Sequence, residues 1–309
     1  MSKKNKKQNQ IISAIIGVIV LLSLAIFGAS EDTLKAVSDI TGINIENIIT
    51  QENTNQDIIA NGGDLKVYFI DVGQADSILV MNDNQSMLID AGNNEDGEDV
   101  VNFIKDKGIS KLDYVIGTHP HEDHIGGLDD VINNFDIEKI YMPKIETTTK
   151  TFEDVLDAVS EKNMKITSPE EGDVFQVGTA TCEIMTESIL EKNSLNLSSI
   201  VIRMTFGNNS FLFMGDAETE NEKTRNWPKT QVLKVGHHGS NTSSSKDFLE
   251  QVSPEYAIVM VGKDNSYNLP KDEILERIRN IGAQIYRTDE NGTIEIIASG
   301  NEINVNKEK

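Results

Sequence analysis

All five histidines of this chain fall in two short segments. His119, His121 and His124 lie in Thr118-His119-Pro120-His121-Glu122-Asp123-His124, and His237 and His238 lie in Gly236-His237-His238-Gly239-Ser240. Histidines used for packing or surface would scatter. Metal ligands gather, because one ion needs several donors within about 2 Å. In a nearly extended segment alternate side chains share a direction, so His119 and His121 can grip one ion. Asp123 and His124 then point toward a second position a few ångströms away, and Glu122 is expected to face solvent. Gly126-Gly127 lets the backbone pass close to this site before the next helix begins.

Both segments need scaffolds to hold them, and each follows a β-branched, apolar run: DYVIGT (113–118) precedes the first and QVLKVG (231–236) the second. Similar runs occur at 65–70, 77–81, 86–90, 137–142, 181–185, 199–206, 210–216, 256–261, 284–288 and 293–297, and each predicts a strand. Helical periodicity lies near 97–107, 126–135, 152–162, 218–226, 245–251 and 271–281. Strands that come first in hairpins and later alternate with helices predict two mixed sheets covered by helices.

The HxHxDH pattern resembles the hallmark of the metallo-β-lactamase-fold hydrolases. FIDVGQADSILV (69–80) and LIDAG (88–92) resemble that family's opening strands, and FLFMGDAE (211–218) resembles the strand ending in its metal-bridging aspartate. DVGQADS, NLSSIVIRM, GDAE, KVGHHGSNTSS and RTDENGTIEI are similar to the extracytoplasmic hydrolase domain of ComEC-type competence proteins, over roughly residues 65–298. The resemblance implies an αββα sandwich, in the α/β (α+β) class, with the metal loops along one edge. It implies one or two divalent ions, zinc by default and manganese as the alternative. His119, His121, Asp123, His124, Asp216 and His238 would be the ligands, with Asp216 bridging and Asp90 a supporting acid. Asp216, Asp123 and His237 would act on the reacting atoms, and the roles of His237 and His238 are exchangeable. Ser240 and Thr242, with Ser243, would bond a phosphate or cap the helix before KDFLEQ. Two departures stand out. The segment 193–199 has no histidine where many members supply a third to the first ion, which leaves Asn196 nearby. Tyr267-Asn268-Leu269-Pro270 replaces the branch's Tyr-Gly-His-Pro.

The remaining features bound the reading. One cysteine, Cys182, excludes an intrachain disulfide framework and a four-cysteine zinc cluster, and it reads as inert core. No GxSxG-like elbow supports a serine triad. Lys3, Lys4, Lys6 and Lys7 precede an uncharged apolar run, residues 11–29, and Glu31 and Asp32 follow it. About 20 such residues cross a bilayer, and lysines before with acids after place the rest outside. Residues 1–30 are therefore expected to form a single-pass membrane anchor, a cleaved signal with a secreted product being the rival. Residues 31–63 are expected to form a stalk and 64–309 the hydrolase domain. The net charge of −22 argues against broad adhesion to nucleic acid. The expected function is metal-assisted hydrolysis of a phosphodiester, with single-stranded DNA or a cell-envelope phosphoester as substrate and no obligate protein partner. A metal-binding accessory module of a DNA-uptake system is the non-catalytic alternative.

Overall fold

The computed structural model describes residues 63–186, 189 and 194–309. The expected anchor and all but the last residue of the expected stalk lie outside the described residues. Among the described residues, no helix is long and apolar enough to cross a membrane.

Two sheets pack face to face. The first has the order β15-β14-β1-β2-β3-β4-β5-β6 and the second β13-β12-β11-β10-β9-β8-β7. The strands of the first sheet are β1 (Leu65–Phe69), β2 (Ile78–Asn82), β3 (Gln85–Ile89), β4 (Lys111–Ile116), β5 (Asp136–Tyr141), β6 (Ile166–Thr167), β14 (Ile294–Ser299) and β15 (Glu302–Lys307). Those of the second are β7 (Val174–Val177), β8 (Ala180–Ile184), β9 (Ile202–Phe206), β10 (Asn209–Phe213), β11 (Val232–Lys234), β12 (Tyr256–Val259) and β13 (Gln284–Arg287).

Three apolar layers hold the sheets and helices together, as an αββα sandwich requires. Between the sheets lie Val67, Phe69, Val80, Ile89, Met204, Phe211, Phe213 and Ile296 with their neighbours. Helices Gly97–Asp106, Leu128–Asn134 and Lys150–Glu161 cover the outer face of the first sheet through Val100, Ile104, Val131 and Val155. Helices Lys246–Val252 and Asp272–Asn280 cover the second through Phe248, Leu249, Ile274 and Ile278. Central strands are therefore buried on both faces and read as continuous apolar runs. β14, whose outer face no helix covers among the described residues, alternates buried Ile294, Ile296 and Ala298 with partly exposed neighbours.

Each sheet carries one parallel segment. β3, β4 and β5 run parallel in the first sheet, and β10 through β13 run parallel in the second. Parallel strands send successive loops out at the same end, and ligand sites gather at the carboxyl ends of such strands. Asp90 follows β3, His119 follows β4, Asp216 follows β10 and His237 follows β11, so the topology alone brings these residues to one edge.

The sequence-based expectations missed three strands, β6, β7 and β15. β6 has two residues and β7 four, while β15 alternates polar and apolar residues at a sheet edge. The cap of Lys246–Val252 also differs from expectation. Ser245 accepts the Phe248 N–H at 3.3 Å, which leaves Ser240, Thr242 and Ser243 out of that role.

Candidate metal centre

The HxHxDH segment changes conformation midway. The expected extended geometry does not hold at its start: the chain bends at His119-Pro120, where the His121 N–H donates to His119 O at 3.0 Å. A one-turn helix, Glu122–Ile125, begins directly after His121 and carries Asp123 and His124. That turn docks by backbone bonds on the neighbouring loop, the Ala91 N–H donating to His124 O at 2.8 Å and the Gly126 N–H to Gly92 O at 2.9 Å. A Cβ at Gly126 would lie 2.2 Å from the Asn93 carbonyl carbon, so only glycine permits this approach. Glu122 is exposed, as its place in the segment predicts.

Asp123, His124, Asp216 and His238 offer four donor atoms that all lie within 4.8 Å of one another. His124 Nε2 is 3.3 Å from Asp216 Oδ1, His238 Nε2 is 3.3 Å from Asp123 Oδ2, and His238 Nε2 is 3.6 Å from Asp216 Oδ1. A tetrahedral ion with bonds of about 2.0–2.1 Å sets its ligand atoms about 3.3–3.4 Å apart. The tautomers agree with this use. His238 Nδ1 must donate, because its partner at 2.9 Å is the Met260 carbonyl, and His124 Nδ1 lies 2.8 Å from Asp90 Oδ2. Each imidazole is thereby oriented with Nε2 toward the cluster. His124 Nε2, His238 Nε2 and Asp216 Oδ1 are buried and form no hydrogen bond. Buried polar atoms without partners are costly, and three converging on one point fit a divalent cation.

A second group faces the other oxygen of Asp216. His119 Nε2 lies 4.0 Å and His237 Nε2 3.6 Å from Asp216 Oδ2, and His121 Nδ1 is 3.0 Å from His119 Nε2. His237 thus places an imidazole on the side where residues 193–199 have none. Its Nδ1 is 2.9 Å from Thr242 Oγ1 and 3.4 Å from Glu218 Oε1, which aims Nε2 inward. His237 and His238 both adopt left-handed backbone, with φ of 49° and 51°. That conformation is unfavourable for side chains of this type, and it sends two consecutive imidazoles to opposite sides of one carboxylate.

Burial, reinforced by the nearby His124, holds the His119 imidazole well below its ordinary pKa, and burial lowers that of His121. Both rings are therefore neutral, as metal ligation requires. Burial opposes charge on Asp216, but His124 and His238 outweigh it and hold the carboxyl well below the usual carboxylate range.

The expected substrate residues sit around His237. The Asn196 amide donates to Glu218 Oε1 at 3.1 Å and lies 3.3 Å from His237 Nε2, while Ser240 Oγ is 3.2 Å from Thr242 Oγ1. Asp90, expected only as a supporting acid, accepts from the Thr118 N–H and Thr118 Oγ1, both at 2.8 Å, as well as meeting His124. Two residues escaped the sequence reading. Lys234 on β11 and Asp76 in the loop between β1 and β2 are fully buried and form an ion pair beneath the centre. Lys234 also donates to Gly215 O at 3.1 Å, and Asp76 Oδ1 lies 3.4 Å from His238 Nδ1. The available signal was a lone lysine inside the otherwise apolar run Val232-Leu233-Lys234-Val235. Cys182 is buried between the sheets, as expected of core.

Comparison with known proteins agrees with this architecture. Residues 70–263 match the family model described as the metallo-beta-lactamase superfamily. ComE operon protein 3 of Bacillus subtilis is 33% identical over 252 residues, which cover 74% of this chain and 32% of that protein. Competence protein ComA of Neisseria gonorrhoeae is 30% identical over 231 residues, 73% of this chain and 31% of that protein. The chain thus matches about a third of the length of these curated relatives. Among solved structures, the metallo-beta-lactamase fold protein YhfI of Bacillus subtilis superposes with a TM-score of 0.53 at 11% identity, covering 79% of this chain and all of that one. The edge that gathers His119, His121, Asp123, His124, Asp216 and His238, together with the family match, makes this chain a metal-dependent hydrolase of the metallo-beta-lactamase superfamily.

Proposed function

We propose that the chain hydrolyses a phosphodiester at a two-ion centre. The observation that carries this reading is Asp216, whose Oδ1 faces His124 and His238 while its Oδ2 faces His119 and His237. Asp123, His124, His238 and Asp216 would hold one ion, and His119, His121, His237 and Asp216 the other. Zinc suits these imidazole and carboxylate donors, and manganese is the alternative. When bound, such ions polarise a phosphoryl oxygen and make hydroxide available near neutral pH.

The chain's own residues do the rest. Asp90 and the Met260 carbonyl fix the ring orientations of His124 and His238. The Asn196 and Thr242 side chains beside His237 are placed to donate to phosphoryl oxygens, with Ser240 supporting Thr242. The HHGS segment and the relative named as a competence protein support a phosphoester over a β-lactam ring. Residues 11–29 would tether the domain to the outer face of the cytoplasmic membrane, as the charge order around them suggests.

The test is a metal titration of the metal-free full chain with bis(p-nitrophenyl) phosphate. Turnover should rise with bound zinc or manganese and saturate near two ions per chain. A chain that binds metal but hydrolyses no phosphoester would overturn the reading in favour of a binding module. Protease added to intact wall-less cells should digest the domain, and full protection would refute the external location.

A further inference from the structure

The metal centre opens at Asp123 into a cleft of about 540 Å³. Asp71, Glu95, Asp96, Asp99 and Glu122 line its outer part, Asp123 marks the inner end, and among the described residues no lysine, arginine or histidine lines it. Asp96 and Glu122 accept hydrogen bonds from uncharged groups, the Asn93 N–H at 2.7 Å and Asn94 Nδ2 at 2.9 Å, and not from a cation. Among the described residues, Lys309 is the one cation that reaches any of these carboxylates, at 3.2 Å from Asp71. Glu95 and Asp99 are exposed, and among the described residues no cation lies within ion-pair distance of them. Tyr267, 66% exposed, stands on the same cleft.

The two ends of this cleft therefore differ in chemistry. At the inner end, the buried and unpartnered His238 Nε2 lies 3.3 Å from Asp123 Oδ2, with the equally unpartnered Asp216 Oδ1 beside it. Those atoms point to bound cations, which would neutralise the inner carboxylates and receive a phosphoryl group. The outer carboxylates lie beyond that neutralisation. A cleft lined by charge of one sign focuses its field and selects ligands of the opposite sign. An aromatic ring at the same mouth attracts cations further.

Building on the phosphodiester reading, we infer that the cleft selects a phosphodiester whose non-reacting arm carries an ammonium group. A nucleic-acid strand is the opposite case, because each further phosphate would meet another carboxylate. The acidic wall makes the substrate a small zwitterion and not a polyanion.

The experiment uses the metal-loaded full chain and two esters of matched shape. One is p-nitrophenyl phosphorylcholine, and the other is 3,3-dimethylbutyl p-nitrophenyl phosphate, in which carbon replaces the charged nitrogen. At low ionic strength kcat/KM should favour the cationic ester by about tenfold or more. The preference should shrink as salt is raised. It should also fall toward unity in the Glu95→Gln, Asp99→Asn double variant, whose changes are exposed and isosteric. Equal rates on the two esters would overturn the inference while leaving the phosphodiesterase intact. Single-stranded DNA cleaved faster than either ester would overturn it in favour of nucleic acid. Absence of turnover on every phosphoester would remove the hydrolase reading itself.

Discussion

The two sides of Asp216 are built to different standards. On the Oδ1 side, His124 and His238 are buried, and each is locked through Nδ1, by the Asp90 carboxylate in one case and a backbone carbonyl in the other. On the Oδ2 side, His119 Nδ1 meets only hydroxyls, Thr118 Oγ1 at 3.2 Å and Ser199 Oγ at 3.4 Å, and His237 is 24% exposed. A carboxylate or carbonyl behind an imidazole fixes its tautomer and raises its basicity, and a hydroxyl does so weakly. The contrast teaches that the shared aspartate does not imply two equal sites. The Oδ1 side should load first and release last, and the Oδ2 side should be the exchangeable one.

Five variants, one of them double, test this contrast. The largest effect is expected at the ion pair under the Oδ1 side. Lys234→Met leaves Asp76 as a buried, uncompensated carboxylate, which should cost about 3–5 kcal/mol of stability. Adding Asp76→Asn should recover much of that loss, and urea unfolding of the single and double variants measures both. A Lys234→Met chain as stable as wild type would mean that the pair contributes nothing to the rigid side.

Asp216→Asn comes next, because it touches both sides at once. The amide keeps the shape but removes the charge that would lie between the two proposed ions, so far-UV circular dichroism should be unchanged while turnover falls about a hundred- to a thousandfold. Metal stoichiometry should drop on the same preparation. Wild-type rate with full metal would show that the two sides are not joined through this residue.

Asp90→Ala and Ser199→Ala then compare the supports directly. Loss of Asp90 should weaken binding of the tighter ion about 10- to 100-fold, as seen when such outer partners are removed. Loss of the Ser199 hydroxyl should weaken the looser ion by less than about tenfold, because Thr118 shares its contact with His119. Competition against a chromogenic chelator separates the two steps, and equal shifts in both variants would abolish the distinction drawn here.

The site was legible in the sequence to the extent that its ligands share short segments. HxHxDH and HHGS are each contiguous, and strand periodicity placed both at strand ends. What joins them was less visible. Asp76 and Lys234 are 158 positions apart by their numbers, and no local pattern couples a loop of one sheet to a strand of the other. The sequence favours His238 over His237 as a metal ligand but leaves their exchange open, because nothing local signals the left-handed backbone that sends them to opposite sides of Asp216. The main sheets were readable because their strands are apolar runs. β7 escaped because it is short, and β15 because four of its six residues are exposed.

The first and last parts of the described domain lie side by side. β1 pairs along its length with β14, and the Asp71 N–H donates to Thr293 Oγ1 across 222 residues of chain. Closing so long a loop carries an entropic cost before any contact repays it, and topologies of this kind fold slowly. During synthesis the loops bearing His119 and Asp216 emerge well before the strand that completes the first sheet. Until β14 arrives, β1 presents an unpaired, apolar edge, which is the sort of surface that aggregates. Truncation within 294–299 should therefore abolish folding of the whole domain, although every metal-binding side chain would remain in the chain.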